Sequence, residues 1–190
     1  MKRTRLKILI TLVIITTNQL IAQQTVGTLL NNSGAYDGYT LFTARQYHTS
    51  YLINNEGREI NEWVQADGMR VENCRLLDNG KLIRAVNLLL PFYAGKPGAH
   101  GKLELVNWDG TVDWSMTYAD ETHILHHDIV PIKQNDNSYH FLASTWDVIP
   151  ASSAIAYGRN PDAVGGSDNY ILVERIIEIE PVGSDEYNIV

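Results

Sequence analysis
The 190 residues carry 44 % hydrophobic side chains and a formal net charge of −7. That is enough apolar material for one ordinary domain or part of a larger one, and an acidic balance without a basic run excludes nucleic acid as a partner. The single cysteine, Cys74, excludes an intramolecular disulfide. It lies between Asn73 and a strand-like Leu76-Leu77, with no histidine near it in sequence, and reads as a half-buried structural thiol.

Residues 1–22 read as a secretory signal peptide. Lys2, Arg3, Arg5 and Lys7 form a basic head, and Leu6 and Ile8–Ile15 an apolar centre broken by Thr11. That centre is too short to span a bilayer as a mature helix. The expected cut follows Ala22 or Gln23, which makes the mature chain more acidic still. No later apolar stretch is long enough to span a membrane. The chain is therefore expected to be exported, periplasmic or secreted. Residues 23–37 read as a polar, extended lead-in.

From residue 38 on, almost everything has strand character. Candidate strands are Tyr39–Thr43, Ser50–Asn54, Glu59–Val64, Arg75–Leu77, Lys81–Val86, Leu103–Asn107, Thr111–Met116, Ile129–Lys133, Tyr139–Thr145, Ile171–Ile179 and Tyr187–Val190. Most are short, rich in β-branched and aromatic residues, and bounded by turn chemistry. Asn79-Gly80 and Asp109-Gly110 are strong hairpin signals and Glu56-Gly57 a weaker one. No amphipathic helix of three turns is evident. The fold class is all-β.

Two phrases recur. Leu52-Ile53-Asn54-Asn55-Glu56-Gly57, leading to Trp63, returns as Leu105-Val106-Asn107-Trp108-Asp109-Gly110, leading to Trp114. A degenerate third copy runs from Ile177 through Gly183 to Val190. Between them, Leu76-Leu77-Asp78-Asn79-Gly80-Lys81-Leu82-Ile83 matches Val130 to Phe141, with two or three extra turn residues. Two hairpins in a period of roughly 50 residues are what a four-stranded β-propeller blade requires. Such blades hide their faces by stacking on neighbours. The expected domain is a partial β-propeller over 38–190, with blades near 38–72, 73–122 and an incomplete 123–190. About two and a half blades are present, as in the front part of a longer protein. Trp63, Trp108 and Trp114 follow the repeat and are expected to pack between blades. Residues 146–170 are rich in Gly, Ser, Asn, Asp and Pro and read as a long loop. Asp162 and Asp168 fit no calcium-loop spacing, so a solvated loop is expected there.

Chemistry concentrates in Thr122-His123-Ile124-Leu125-His126-His127-Asp128. Three of the six histidines stand in five positions beside a carboxylate. By the repeat, Ile129–Lys133 is the first strand of its blade, so this segment is expected on the loop that feeds the channel mouth. If it were extended, His126 and His127 would face opposite ways, leaving one for the channel. Imidazoles can donate to an anion, accept a proton or act as nucleophiles, and Asp128 could fix a tautomer. A metal site at His123, His126, His127 and Asp128 would suit Zn²⁺ or Cu²⁺. It is disfavoured because adjacent residues rarely converge on one ion, and no metal or other cofactor is expected. His48, His100 and His140 read as loop or surface residues.

These phrases, with the opening Gly38-Tyr39-Thr40-Leu41-Phe42 and the His126-His127-Asp128-Ile129 run, resemble the bacterial aryl-sulfate sulfotransferase family. The resemblance runs from about Thr25 to Val190, over the front portion of that family's six-bladed propeller. It implies nucleotide-independent transfer of a sulfuryl group from a phenolic sulfate ester to a phenol. A histidine in a later blade than this chain contains would be the nucleophile, and further histidines and an arginine would hold the sulfate oxygens. His127 first and His126 second would take such catalytic positions, with His123 and Asp128 as substrate-binding neighbours. The preceding blade has Asn73-Cys74-Arg75 at the equivalent place, so not every blade contributes a histidine. The 190 residues alone would then be inactive. The alternative is a non-catalytic propeller that binds a glycan or a protein on its loop face.

Overall fold
The computed structural model describes residues 28, 30–44, 47–163 and 169–190. The signal peptide at 1–22 and Asp168 lie outside the described residues. Within the lead-in, residues 28 and 30–37 form no helix or strand.

Among the described residues eleven strands make three antiparallel sheets. The first contains β1 (Tyr39–Thr43), β2 (Thr49–Asn54) and β3 (Glu59–Val64). The second contains β4 (Arg70–Leu76), β5 (Leu82–Asn87), β6 (Gly101–Val106) and β7 (Val112–Thr117). The third contains β8 (His123–Lys133), β9 (Tyr139–Pro150), β10 (Tyr170–Val182) and β11 (Glu186–Ile189). Each sheet pairs its strands in chain order, as short hairpin loops between antiparallel strands require. The result is all-β and blade-like, with three sheets among the described residues. A closed propeller ring uses at least four.

The hairpin turns explain the repeat. Gly57, Gly80, Gly110 and Asn137 all take positive φ (75°, 83°, 87° and 67°). Each donates its N–H to the carbonyl three residues back: Gly57 to Asn54, Gly80 to Leu77, Gly110 to Asn107, Asn137 to Gln134. That carbonyl's own residue donates across the turn to Arg58, Lys81, Thr111 and Ser138 respectively. Gly57 and Gly110 thus occupy the same place in their sheets. Gly80 matches Asn137, an asparagine in the left-handed region that glycine otherwise fills. Leu77–Lys81 and Gln134–Ser138 are one turn of one length, and the extra residues expected in the later copy are not there.

Stacking buries the faces. Between the second and third sheets Ile83, Leu103, Trp114 and Met116 meet Leu125, Ile129, Phe141, Ile177 and Ile179. The smaller seam between the first two sheets holds Leu52, Trp63, Leu82 and Val106, with half-buried Cys74 against it. β5 is buried at Leu82 through Val86 because it lies between two such seams. Two tryptophans tie neighbouring sheets: Trp63 Nε1 donates to Asn107 O at 3.0 Å and Trp114 Nε1 to Glu186 O at 2.7 Å. Trp108 meets Trp63 edge-on at 5.4 Å between centroids but stays half exposed.

Three expectations change. β8 begins at His123, so the histidine segment is strand and not a feeding loop. The 146–170 stretch is partly regular: β9 runs on to Pro150, a six-residue helix α1 follows at Ala151–Ala156, and a 3-10 turn spans Pro161–Ala163. The exposed Asp162 lies in that turn. Finally, β8, β9 and β10 have 11, 12 and 13 residues, nearly twice the strands of the second sheet. Their overhang is covered by residues 88–100, whose Tyr93 and Ala99 pack on Ile124 and Trp146.

Candidate functional site
The overhang of β8 carries the histidines, and a bulge decides what they do. β8 pairs regularly with β9 from Lys133↔Tyr139 to Ile129↔Ala143, then resumes at His126↔Ser144. His127 and Asp128 are the extra residues. His127 takes φ of 54°, a left-handed conformation costly for a residue with a Cβ. This overturns the strict alternation expected from an extended strand. Both rings now meet, with His126 Nδ1 and His127 Nδ1 2.6 Å apart.

The edge of β8 is closed by residues 98–100. His127 N–H donates to Gly98 O at 2.9 Å and His100 N–H to Leu125 O at 3.0 Å, with Ala99 bridged to His126. Gly98 is required twice over. Its φ is +83°, and a Cβ there would stand 2.6 Å from the His127 ring.

His126 is 3 % exposed and lies flat on Trp146, with centroids 4.1 Å apart and planes 13° apart. Its Nε2 is 2.7 Å from Glu174 Oε2, and Trp146 Nε1 donates to the other oxygen, Oε1, at 2.7 Å. Burial lowers the His126 pKa, with the His127 ring adding to it, against the pull of Glu174. His126 is therefore neutral near pH 7. The approach to Glu174 is a distance only: the buried Nε2 has no partner in hydrogen-bond geometry. The two Nδ1 atoms share one proton, and which ring carries it follows the tautomer. His127 itself is exposed to solvent.

Asp128 points elsewhere. It accepts from Asn73 Nδ2 at 2.7 Å and from Arg75 at 2.7 Å, and Asn73 also reaches His127 O at 3.3 Å. Burial pushes its carboxyl up, but the Ile129 N–H, Asn73 and Arg75 together hold it below the ordinary carboxylate range. It ties the first strands of two sheets together and does not orient a histidine ring. The Asn73-Cys74-Arg75 phrase thus anchors the neighbouring bulge from across the seam.

His123 is not brought to the pair. It packs on the connection between β7 and β8, its Nδ1 2.9 Å from Thr122 Oγ1 and 3.3 Å from Asp120, its ring 4.0 Å from that of Tyr118. Arg175, on the same face, binds Tyr118 Oη and Asp147.

Three residues of the site escaped the sequence reading. Glu174 and Trp146 come from β10 and β9. His100, expected at the surface, is fully buried, and neither ring nitrogen has a hydrogen-bond partner. Burial and the neighbouring His126 and His127 push its pKa down to about 3. By contrast His48 is exposed, and His140 holds Glu178 at 2.7 Å on the third sheet's outward face.

A cavity of about 340 Å³ adjoins the pair behind Gly98 and Ala99. Arg70, Glu72, Asn87, Lys96 and Tyr93 line it, while the histidines do not. Among the described residues no group of three or more His, Cys, Asp or Glu is disposed to hold a metal ion. No described helix is long and apolar enough to cross a membrane. No family model matches the chain, and no curated protein or solved structure matches it either.

Proposed function
We propose that this chain belongs to an exported β-propeller enzyme that transfers a sulfuryl group from a phenolic sulfate ester to a phenol, of the aryl-sulfate sulfotransferase kind, with His127 at the reacting group. The observation that carries the reading is the His126–His127 pair. One ring is buried flat against an indole, and its Nδ1 lies 2.6 Å from that of a second ring, on a residue that solvent reaches. Sulfuryl transfer needs placed donors on the equatorial oxygens, a base for the incoming phenol and a proton for the departing phenolate. Protonated, His127 donates to sulfate oxygens; neutral, it takes the acceptor's proton, while a histidine of a later blade attacks sulfur. As the new S–O or S–N bond forms, the bond to the donor phenol oxygen breaks, and that oxygen leaves with the electron pair.

The test is release of 4-nitrophenol from 4-nitrophenyl sulfate by the complete gene product, with and without phenol as acceptor. Turnover is expected to depend on the acceptor, and His127→Ala is expected to lower kcat/KM by about 10²- to 10⁴-fold. No turnover by the wild type, or turnover untouched in the variant, removes the reading. The second reading, a non-catalytic propeller that binds a glycan or protein, is favoured by one observation: Asp128 and His123 are engaged in internal bonds. Ligand retention on an immobilised glycan or protein, without ester cleavage, would select it.

A further inference from the structure
We propose that the cavity between β4, the end of β5 and the 88–100 segment binds a small free α-amino acid with an apolar side chain, its carboxylate on Arg70 and its ammonium on Glu72. The inference goes beyond the sulfuryl-transfer reading and does not rest on it. The histidines do not line this cavity, and the test uses no sulfate ester.

Strand register places the site. Gly80 and Asn137 hold the same turn position, and Asn87 follows the first by as many residues as Ser144 follows the second. Arg70 pairs with Asn87, and His126 with Ser144. Arg70 is therefore the second sheet's counterpart of His126, towards the start of the first strand of its sheet. Both strands carry a bulge beside that point. In β4 the extra residue is Glu72, between Val71↔Val86 and Asn73↔Ala85. A bulge re-aims a side chain, and Glu72 lines the same cavity as Arg70.

Opposite charges so placed could pair with each other, but they do not. Arg70 has no ion pair or side-chain hydrogen bond among the described residues, whereas Arg75, Arg84 and Arg175 each hold a carboxylate. Glu72 Oε1 accepts from Asn87 Nδ2 at 2.8 Å, which leaves its other oxygen without a partner among the described residues. Asn87 Oδ1 in turn accepts from Leu89 N–H at 2.8 Å and holds Leu89 at φ of 54°, a conformation costly for a bulky side chain. The covering segment is pinned at its other side by Tyr93 Oη, which donates to Asp120 O at 2.6 Å, and by Phe92 stacked on Tyr170. The carboxylate and the cover are thus set before a ligand arrives, which lowers the cost of binding.

The cavity measures about 340 Å³, and Leu90, Tyr93 and Ile124 give it an apolar floor. A guanidinium matches a carboxylate in bidentate fashion, and a fixed carboxylate accepts from an ammonium. A ligand that carries both charges on one carbon, with an apolar body behind them, satisfies every group on this wall. A simple anion would face Glu72, and a simple amine would face Arg70.

Phenylalanine is the probe. 3-Phenylpropanoate lacks its ammonium and 2-phenylethylamine lacks its carboxylate. Titration of the ¹⁵N-labelled complete gene product near pH 7.5 is expected to shift the amides of Leu89, Gly95 and Gly98, with a Kd for phenylalanine of about 1 mM or below. Each truncated ligand is expected to bind about 10- to 100-fold more weakly. Arg70→Met is expected to weaken phenylalanine by a similar factor and to leave 2-phenylethylamine unchanged. Glu72→Gln keeps the acceptor for Asn87 and is expected to weaken phenylalanine while leaving 3-phenylpropanoate unchanged or tighter. Arg70 is exposed and unpaired, so its replacement leaves the fold intact. The proposal is overturned if phenylalanine leaves those amides unshifted, if either truncated ligand binds as tightly as phenylalanine, or if the variants weaken all three ligands alike.

Discussion

His100 places an imidazole in the core, where burial opposes its protonation. In the unfolded chain it titrates near its ordinary value of 6.5, in the folded chain at about 3. Below pH 6.5 the unfolded state binds a proton that the native state refuses, so stability falls as the pH drops from about 6.5 towards about 3. The limiting slope is about 1.4 kcal/mol per pH unit for one such group. His126, lowered for the same first cause, adds in the same direction. Asp128, held below the ordinary range, loses its contribution lower still. Urea midpoints at pH 7.5, 6.0 and 5.0 are expected to decline in the wild type and to decline less in His100→Leu. Parallel declines in the two proteins would show that the acid limb belongs to other groups. At this scale the sequence exposed part of the site. His126, His127 and Asp128 stand out by density, but which of them faces what depended on one backbone angle at His127. Glu174 and Trp146 were hidden because partners about 50 and 20 positions away meet only through strand register. The turn at Asn137, continued outwards without interruption, would place His126 opposite Trp146. The bulge shifts it to Ser144 and leaves Trp146 stacked on the ring.

At the level of elements, turn chemistry is the most readable feature of this chain, because a left-handed residue is demanded at one fixed place in each hairpin. Gly57, Gly80 and Gly110 announce it; Asn137 does so less loudly, and comparing letters alone misjudged that turn's length. The equivalence is measurable. At Gly80 a Cβ would meet Trp108 Cε3 at 4.0 Å, an ordinary contact, so the cost of Gly80→Ala is conformational. It is expected to destabilise by about 1–2 kcal/mol, and Gly80→Asn by less. Asn137→Gly is expected to be neutral or slightly stabilising. Thermal unfolding of the three variants decides it, and a harmless Gly80→Ala would mean the two turns are not the same device. Strand ends were less readable. The overhang of β8, β9 and β10 could not be seen, because its cover comes from residues 88–100, a stretch without periodicity. β8 begins in the histidines because that cover and the Tyr118 carbonyl, which accepts from Leu125 N–H, complete its edge.

Across the whole molecule the two seams are built differently, and the difference predicts where the stack is weakest. The seam between the second and third sheets is large and apolar. The seam between the first and second has few apolar groups and a buried charge network beside them. Arg84 and Glu104, paired across β5 and β6, are 2 % and 3 % exposed in their side chains and 2.6 Å apart. Glu104 also takes Lys102 at 2.5 Å and Gln65 Nε2, from the end of the first sheet, at 3.3 Å. Arg84 Nη1 has no hydrogen-bond partner. Charges taken out of water at such a seam gain little net stability, but removing one of them strands the other. Glu104→Gln leaves the Arg84 guanidinium buried without its counter-charge and is expected to cost about 3–5 kcal/mol in urea unfolding. Replacing both, Arg84→Met with Glu104→Leu, is expected to recover most of that loss, because an apolar pair needs no counter-charge. Hydrogen exchange is expected to show the loss first in the amides of β2 and β3, since Gln65 is their polar link to the second sheet. If Glu104→Gln costs less than about 1 kcal/mol, or protection falls evenly over all three sheets, the first sheet is held by its apolar contacts instead.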